Sequence, residues 1–330
     1  MTEPRDWLSR LLEMVPVSGT LDVRCFLGAP WRIDFAPSEA GEIAYHVVLG
    51  GTAILEEPVG RPASKLTAGD ILVLPHGSAH AMHDGSDAAP IPVRERRTLN
   101  VVVQENAGTG ERLDMMCGRF VLSPAHQRLV RSYLPHRLIV HAAESSAATA
   151  EPGTAAEVAA LVGLMRAESA SENLGGLAML NAFTAALLAL VLRLASESRE
   201  TPEGLLAIAG NPRLAPALTA IFNEPGRPWT LPELARRCHM SRATFIRHFR
   251  ERLGRSASEL LTDIRMTVAA NALKGSGMST GAVAELAGYQ SEAAFQRAFK
   301  QRMGITPAQW RSDVSPGSSA RASDAPRGAA

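Results

Sequence analysis

Three kinds of side chain in this sequence can do chemistry, and they lie in different parts of the chain. The first is imidazole. His80 ends the run Gly69-Asp-Ile-Leu-Val-Leu-Pro75-His-Gly77-Ser-Ala-His80, which reads as a turn, a buried strand and a Pro/Gly turn that aims the ring inward. His46, in Tyr45-His46-Val-Val-Leu-Gly-Gly51, and His83 are its candidate companions. Gathered together, such rings can hold a transition metal. They can equally line a ligand site or stand as hydrogen-bonded core residues, and these readings are favoured over the metal. The second kind is thiol. Cys25, Cys117 and Cys238 show no metal-like spacing. A free cysteine in a strand is usually a small hydrophobe, but a neighbouring Arg24 or Arg119 can lower a thiol pKa and make it redox-responsive. Cys238 is expected only to pack. No cofactor is called for. The third kind is arginine, concentrated late in the chain.

That concentration shows in the charge. The net charge of +1 hides a division: residues 227–311 hold 14 Lys+Arg and 6 Asp+Glu, whereas residues 1–226 hold 18 and 25. An acidic body joined to a basic module suits a nucleic-acid binder with a regulatory part. The start, with Glu3 and Asp6, is not a signal peptide. The most apolar stretch, Leu177 to Leu194, contains Asn181 and Thr184 and is read as a buried helix. A cytoplasmic chain with no membrane partner is expected.

The elements that must position these groups follow from patterning. From about Leu21 to Phe120 short apolar or alternating runs (Ala44–Leu49, Thr52–Leu55, Asp70–Leu74, Leu99–Val103, Met115–Leu122) are separated by Gly, Pro and Asp, which predicts a sandwich or barrel. Glu144 to Gly153 reads as a polar connector. Thr154–Ser169 and Glu172–Ser198 read as helices, the first opened by a Thr154/Glu157 capping box, and Thr201–Phe222 adds helix broken at Asn211–Pro212.

The basic module repeats itself. Thr230-Leu-Pro-Glu233 is a capping box before a short helix; His239-Met240 makes a turn; Ser241 caps a helix with Phe245 and Phe249 inward and arginines outward; Gly254 ends it. Ser241, Phe245, Arg247, Phe249 and Gly254 recur 50 residues later as Ser291, Phe295, Arg297, Phe299 and Gly304. Ser256–Leu273 joins the two as one long helix, and Thr306-Pro-Ala-Gln309 caps a last short one. Two short-helix, turn, Arg-helix units are two helix-turn-helix motifs. Residues facing a groove should lie near each second helix's N-terminus, away from the Phe stripe: Arg242, Ala243, Ile246 and Arg247, then Glu292, Ala293, Gln296 and Arg297. Arg can read guanine and Gln adenine. Arg250 and Lys300 suit phosphate.

The run Val283-Ala-Glu-Leu-Ala-Gly-Tyr-Gln-Ser, with Phe295-Gln-Arg-Ala-Phe-Lys300 and Gly304-Ile-Thr-Pro-Ala-Gln-Trp-Arg311, resembles the signature of AraC-type regulators, and Leu234 to Phe249 matches as well. The resemblance implies two recognition helices in successive major grooves, favours base reading by Arg247 and Arg297, and implies RNA polymerase as a partner beside double-stranded DNA. Gly69 to His80 fits the second cupin motif, so residues 5–122 resemble the AraC-linked cupin domain. Catalytic cupins hold a metal with two His and a Glu from the first motif and one His from the second. Here His46 keeps one position, Val48 replaces the second His, and no Glu follows at the usual spacing. Cys25 and Cys117 resemble positions where cysteine occurs in redox-responsive members of the group.

The expectation is therefore an α+β chain. A cupin-like β-barrel sensor (1–125) precedes a helical linker expected to dimerise the protein (126–225), an all-α tandem helix-turn-helix domain (226–312) and a disordered tail (313–330). It is expected to be a sequence-specific transcription regulator, gated by a small-molecule effector or a redox signal; the alternative is a metal-dependent cupin enzyme with a DNA-binding tail.

Overall fold

The computed structural model describes residues 5–57, 62–142, 153–198 and 203–312. Helix α1 (Trp7–Met14), capped by the Asp6 carboxylate on the Ser9 amide, precedes ten strands: β1 (Val17–Gly28), β2 (Arg32–Phe35), β3 (Glu42–Gly50), β4 (Thr52–Glu56), β5 (Ser64–Thr67), β6 (Asp70–Leu74), β7 (His80–His83), β8 (Arg94–Arg97), β9 (Val102–Glu105) and β10 (Arg112–Leu122). Then come α2 (Pro124–Tyr133), β11 (Leu138–His141), and the helices α3 (Thr154–Ser169) and α4 (Gly176–Glu197). Helices α5 (Leu205–Ala209) and α6 (Ala215–Asn223) lead to α7 (Leu231–Arg237), α8 (Arg242–Leu253), α9 (Ala257–Gly275), α10 (Thr280–Leu286), α11 (Glu292–Met303) and α12 (Pro307–Ser312). The architecture is the expected α+β: a cupin-like barrel, intervening helices and an all-α module.

A seven-stranded sheet (β11-β6-β3-β10-β1-β9-β8) closes over a four-stranded one (β2-β7-β4-β5). Between them lies a core that includes Cys25, Trp31, Leu55, Leu66, Met82, Met115 and Cys117. Side chains alternate across a strand, so the larger sheet's outer face carries a second set, Ile43, Tyr45, Val47, Ile71, Met116 and Phe120, buried against helices. In β1 the register against β10 shifts between Leu21 and Val23. This bulge changes the phase of the alternation, so that Leu21 and Arg24 both face the helical layer while Cys25 and Leu27 face the barrel interior.

Helix α4 is long and apolar enough to cross a membrane, but Leu180, Thr184, Leu187, Leu188, Val191, Leu192 and Ala195 are buried against the sheet and α3, as a core helix requires. It lies close to β1 where Gly19 leaves no side chain in the way of Thr184.

Several local expectations are corrected. The N-cap of α3 is Gly153, with no side-chain cap bond; the Thr154 hydroxyl donates to Glu197 at 3.0 Å instead. Helix α4 starts at Gly176 rather than Glu172, because Gly175 takes a left-handed conformation, φ 79°. In the run Leu99–Val103 only Val102 and Val103 are strand; the Thr98 hydroxyl donates to the Val101 carbonyl at 2.7 Å and ties the preceding residues into a turn. Strand β11, within the span expected as a helical linker, returns to the large sheet beside β6. The connector from Glu144 and the tail from Asp313 lie outside the described residues.

The two helix-turn-helix units are packed differently. Phe245, Phe249, Leu260 and Ile264 belong to the core that runs through α6, α5, α2 and α1 to the barrel. Phe295 and Phe299 belong to a separate core with Met266, Ala270, Leu273 and Val283. Polar contacts cross the gap. The Tyr133 hydroxyl of α2 donates to Asp263 of α9 at 2.6 Å; Arg302 of α11 donates to the same carboxylate at 3.1 Å; and Arg128 of α2 donates to the Arg302 carbonyl at 2.6 Å. Asp263 is 4% exposed. A buried carboxylate losing one donor is costly, so Tyr133→Phe should lower the unfolding free energy by about 1.5–3 kcal/mol. Urea denaturation checks this, and a change below about 0.5 kcal/mol would show the bond to be dispensable.

Candidate functional site

In the first helix-turn-helix, the Thr230/Glu233 capping box forms in both directions, and Ser241 accepts from the Thr244 amide to start α8. Phe245 and Phe249 anchor α8, leaving Arg242, Ala243, Ile246, Arg247 and Arg250 exposed. Gly254, φ 74°, closes the helix. In the second unit Ser291 accepts from the Ala294 amide, Phe295 and Phe299 are buried, and Gly304, φ 83°, closes α11. Glu292, Ala293, Gln296, Arg297 and Lys300 are exposed. Burial repeats position by position from Ser241 to Arg250 and from Ser291 to Lys300, so both helices offer the same face. Gln296 donates to Glu292 at 2.9 Å, one turn back.

The sensor residues split. Cys25, Cys117, His46 and His80 come together inside the barrel, and all are buried. His46 lies between its neighbours: its Nδ1 is 3.0 Å from Cys117 Sγ and its Nε2 is 2.8 Å from His80 Nε2. His80 Nδ1 is 3.1 Å from the Ser78 carbonyl oxygen. At the other end the Cys25 thiol donates to Gln104 at 3.5 Å, and the Gln104 amide donates to Glu95 at 2.8 Å. Phe35 stacks on His80 with centroids 4.6 Å apart. Burial, with His80 second, holds the His46 pKa well below the usual imidazole value, and burial lowers that of His80. The adjoining Cys25 thiol, then burial, pushes Cys117 well above the usual thiol value. Both rings and the Cys117 thiol are thus neutral.

His83 does not join them. Three residues beyond His80 on β7, it faces the other side and lies 3.3 Å from Glu56. His46 spends both ring nitrogens on different neighbours, and an ion can reach only one of them. Among the described residues no group of three or more His, Cys, Asp or Glu is placed to hold a metal. The arginines beside the cysteines are engaged elsewhere: Arg24 pairs with Asp114 at 2.7 Å on the helical side, and half-exposed Arg119 with Glu42 at 2.9 Å and Asp22 at 3.1 Å. Cys238 is buried in the first unit's core.

A cupin family model matches residues 6–197, and a helix-turn-helix domain model matches residues 234–313. Over 312 residues, 94% of this chain and 99% of the relative, it is 30% identical to an uncharacterized HTH-type transcriptional regulator of Haemophilus influenzae. The chain belongs to the AraC-type transcriptional regulators. This regulator is also 28% identical to the RCS-specific HTH-type transcriptional activator RclR of Escherichia coli, over 94% of this chain and 98% of that one. To the regulator MtrA of Neisseria gonorrhoeae it is 27% identical, over 93% and 98%. It is a sequence-specific DNA-binding protein with a cupin domain at its N-terminal end.

Sequence reasoning missed the groups that wire the sensor to the rest. Arg24 reaches Ser169 of α3 at 2.8 Å, and Tyr45 reaches Thr184 of α4 at 3.1 Å. Each is the chain neighbour of a barrel residue, Cys25 or His46, and therefore lies on the opposite face. Asp263 carried a legible signal, a lone acid beside the apolar Leu260, Leu261 and Ile264 of the long helix. The turn of the first unit also holds a surprise: His239 sits at φ 52°, where the second unit has Gly288 at φ 76°. A left-handed L-residue costs about 1–2 kcal/mol, and glycine's extra chain entropy costs about 0.5–1. His239→Gly should therefore raise stability by about 0.5–1 kcal/mol, measured in urea. A loss instead would mean that the imidazole itself supports the turn.

Proposed function

We propose that this regulator is gated by oxidation of the Cys25–Cys117 pair and reads DNA through the exposed faces of α8 and α11. The observation that carries the first part is the buried chain Cys25, Cys117, His46, His80, whose first three members lie on strands that pack their other face against helices. The barrel interior around it is filled by Trp31, Leu55, Leu72, Met82 and Met115, which suits a small oxidant better than a ligand-sized effector. Cys25 pairs in register with Met115, and Cys117 with Val23, so the cysteines are diagonal neighbours. Diagonal Cα atoms are about 7–8 Å apart, at or beyond the usual disulfide span of about 4.4–6.8 Å. Closing the bond must draw β1 along β10 beside the bulge. That movement carries Arg24 and with it Ser169, and it disturbs Tyr45, which donates to the Thr20 carbonyl of β1 at 3.2 Å and meets Thr184. Helices α3 and α4 then shift against α1 and α5, on which the first DNA-binding unit is packed.

The reading assigns Arg242, Ala243, Ile246, Arg247, Glu292, Ala293, Gln296 and Arg297 to base edges and Arg250 and Lys300 to phosphate. RNA polymerase is the partner at the promoter, with activation the expected sign. The protein acts in the cytoplasm without an enzymatic role: Val48, buried in the barrel, stands where a cupin metal site would need His, and His83 is turned away. A second copy covers the outer face of α3 and α4, where Ala160, Gly163, Leu164, Leu177, Ala178 and Ala182 are exposed. The division into sensor (1–125), linker (126–225), DNA-binding domain (226–312) and tail (313–330) follows the order of these roles.

Three measurements test this. A reporter assay under hypochlorite or hydroperoxide should lose its response with Cys25→Ser and with Cys117→Ser at equal protein level; an unchanged response in both would leave a small-molecule effector as the signal. In binding assays Arg247→Ala and Arg297→Ala should each cost about 1–3 kcal/mol on the operator and relax preference at one base pair. Lys300→Ala should weaken all sequences alike and reduce the salt slope by about 0.9; base preference that survives Arg297→Ala would reassign that residue to phosphate. Light scattering should find Leu164→Glu a monomer where the wild type is a dimer, and an unchanged mass would place the dimer contact elsewhere.

A further inference from the structure

Resting on the thiol reading above, we infer that His46 and His80 form a proton relay that activates Cys117 for oxidation. A raised, buried thiol is a poor nucleophile, because the thiolate is the reactive form. Something must take its proton, and the hydrogen bonds show what does.

The tautomers follow from the fixed end of the chain. The Ser78 carbonyl can only accept, so His80 Nδ1 carries a hydrogen and donates to it. In a neutral ring Nε2 is then an acceptor. It faces His46 Nε2 at 2.8 Å, which must therefore be the donor. That leaves His46 Nδ1 as an acceptor, and the group 3.0 Å away is the Cys117 thiol. In this neutral chain every bond runs the same way, from Cys117 through His46 to His80. A proton leaving Cys117 enters His46 at Nδ1 while the Nε2 proton passes to His80, giving a thiolate and a His80 imidazolium. The nearest charges favour that end state at the His80 end: Glu57 lies close enough to favour the protonated ring, itself held by Arg137 at 2.9 Å. At the other end the Cys25 thiol, burial and then Asp22, itself paired with Arg119 at 3.1 Å, oppose the thiolate. Phe35 packs against both rings and is uncharged.

With hydrogen peroxide as oxidant, the Cys117 thiolate attacks one peroxide oxygen. The S–O bond forms, the O–O bond breaks, and the departing hydroxide takes the proton back from the relay as water. The Cys25 thiol then attacks the Cys117 sulfenic acid, forming the S–S bond and releasing a second water. Two thiols and one hydrogen peroxide give one disulfide and two waters, with sulfur oxidised and peroxide oxygen reduced.

The relay has a pH signature that needs no variant. Thiolate made by internal transfer depends on His80 being neutral and not on the solution pH, as long as the thiol does not ionise outright. The oxidation rate of Cys117 in the full-length protein, followed by quenched alkylation and mass spectrometry with hydrogen peroxide as the probe, should be flat from about pH 6.5, the ordinary imidazole value, to about pH 8.5, the ordinary thiol value. It should fall at lower pH as His80 takes a proton from solvent. A rate that climbs tenfold per unit across that range overturns the relay. His80→Gln, which cannot accept and pass on a proton, should slow Cys117 at least tenfold at pH 7 and restore the climb, with buried Cys238 as the internal control for opening of the fold. Wild-type speed in His80→Gln also overturns it. DNA occupancy is not read in either measurement, so a pair that oxidises through the relay without altering operator binding would remove the gating and leave the relay standing.

Discussion

The structure depends on a single sheet serving two cores at once. Because successive side chains of a strand point to opposite faces, β1, β3 and β10 each put a chemical group into the barrel and a structural one into the helical layer. Cys25 backs onto Arg24, His46 onto Tyr45, Cys117 onto Met116. A pure alternation would not allow both Leu21 and Arg24 to face the helices, and the irregularity at Asp22 in β1 resolves this. Bulges bend a strand and increase its twist, and this one lies next to Val23, the register partner of Cys117. Packed interiors are stiff, so a displacement on one face cannot be absorbed before it reaches the other.

The same packing makes the two DNA-binding heads unequal. The first is continuous with the sensor through α5, α6 and the N-terminal half of α9, sharing one apolar core. The second has its own and is held to the sensor by polar groups around Asp263. Burial, first, and the Asp263 hydrogen bond keep the Tyr133 hydroxyl protonated, so it can serve only that carboxylate as a donor. Under the proposed gating, movement of the linker would reach the first head through packing and the second through one buried carboxylate shared by α2, α9 and α11. If the two heads enter successive grooves, as proposed, their relative pose matters, and the Asp263 cluster is the polar contact between them and α2.

The DNA-binding half was legible because its signals are local. Capping boxes at Thr230 and Ser256, the Phe pairs and the closing glycines each act within one or two turns of helix, and the 50-residue repeat doubles every one of them. The barrel was legible as a class, and His46 and His80 as a pair. What the residues could not disclose was anything set by register. His83 is three positions from His80, hence on the other face of β7, but only the identity of the buried face tells which of the two is inside. The proximity of Cys25 and Cys117, 92 residues apart, depends on how β1 pairs with β10 and on where the bulge falls. The Thr154 capping box failed for a related reason: Glu197, brought in by α4, is a better partner than the helix's own backbone, so tertiary structure overrode a local preference.

A chain of neutral, fully satisfied hydrogen bonds is a sensitive place to put a switch. Each such bond contributes only about 1 kcal/mol net while it is made, but a buried group left without its partner costs about 1–3 kcal/mol. If the Cys117 sulfur enters a disulfide, it loses its hydrogen, and His46 Nδ1 is left facing a sulfur that cannot donate. Met82 and Met115, in the same buried core, carry no hydrogen-bond donor to replace the one lost. The oxidised barrel must therefore repack or open, and an energy of about 1–3 kcal/mol is the size of coupling that shifts an equilibrium roughly 5- to 150-fold. A metal at the same place would need ligands that converge on one point. This arrangement is linear, with each group addressing the next, and a line of donors and acceptors is the geometry that moves protons and registers the loss of one.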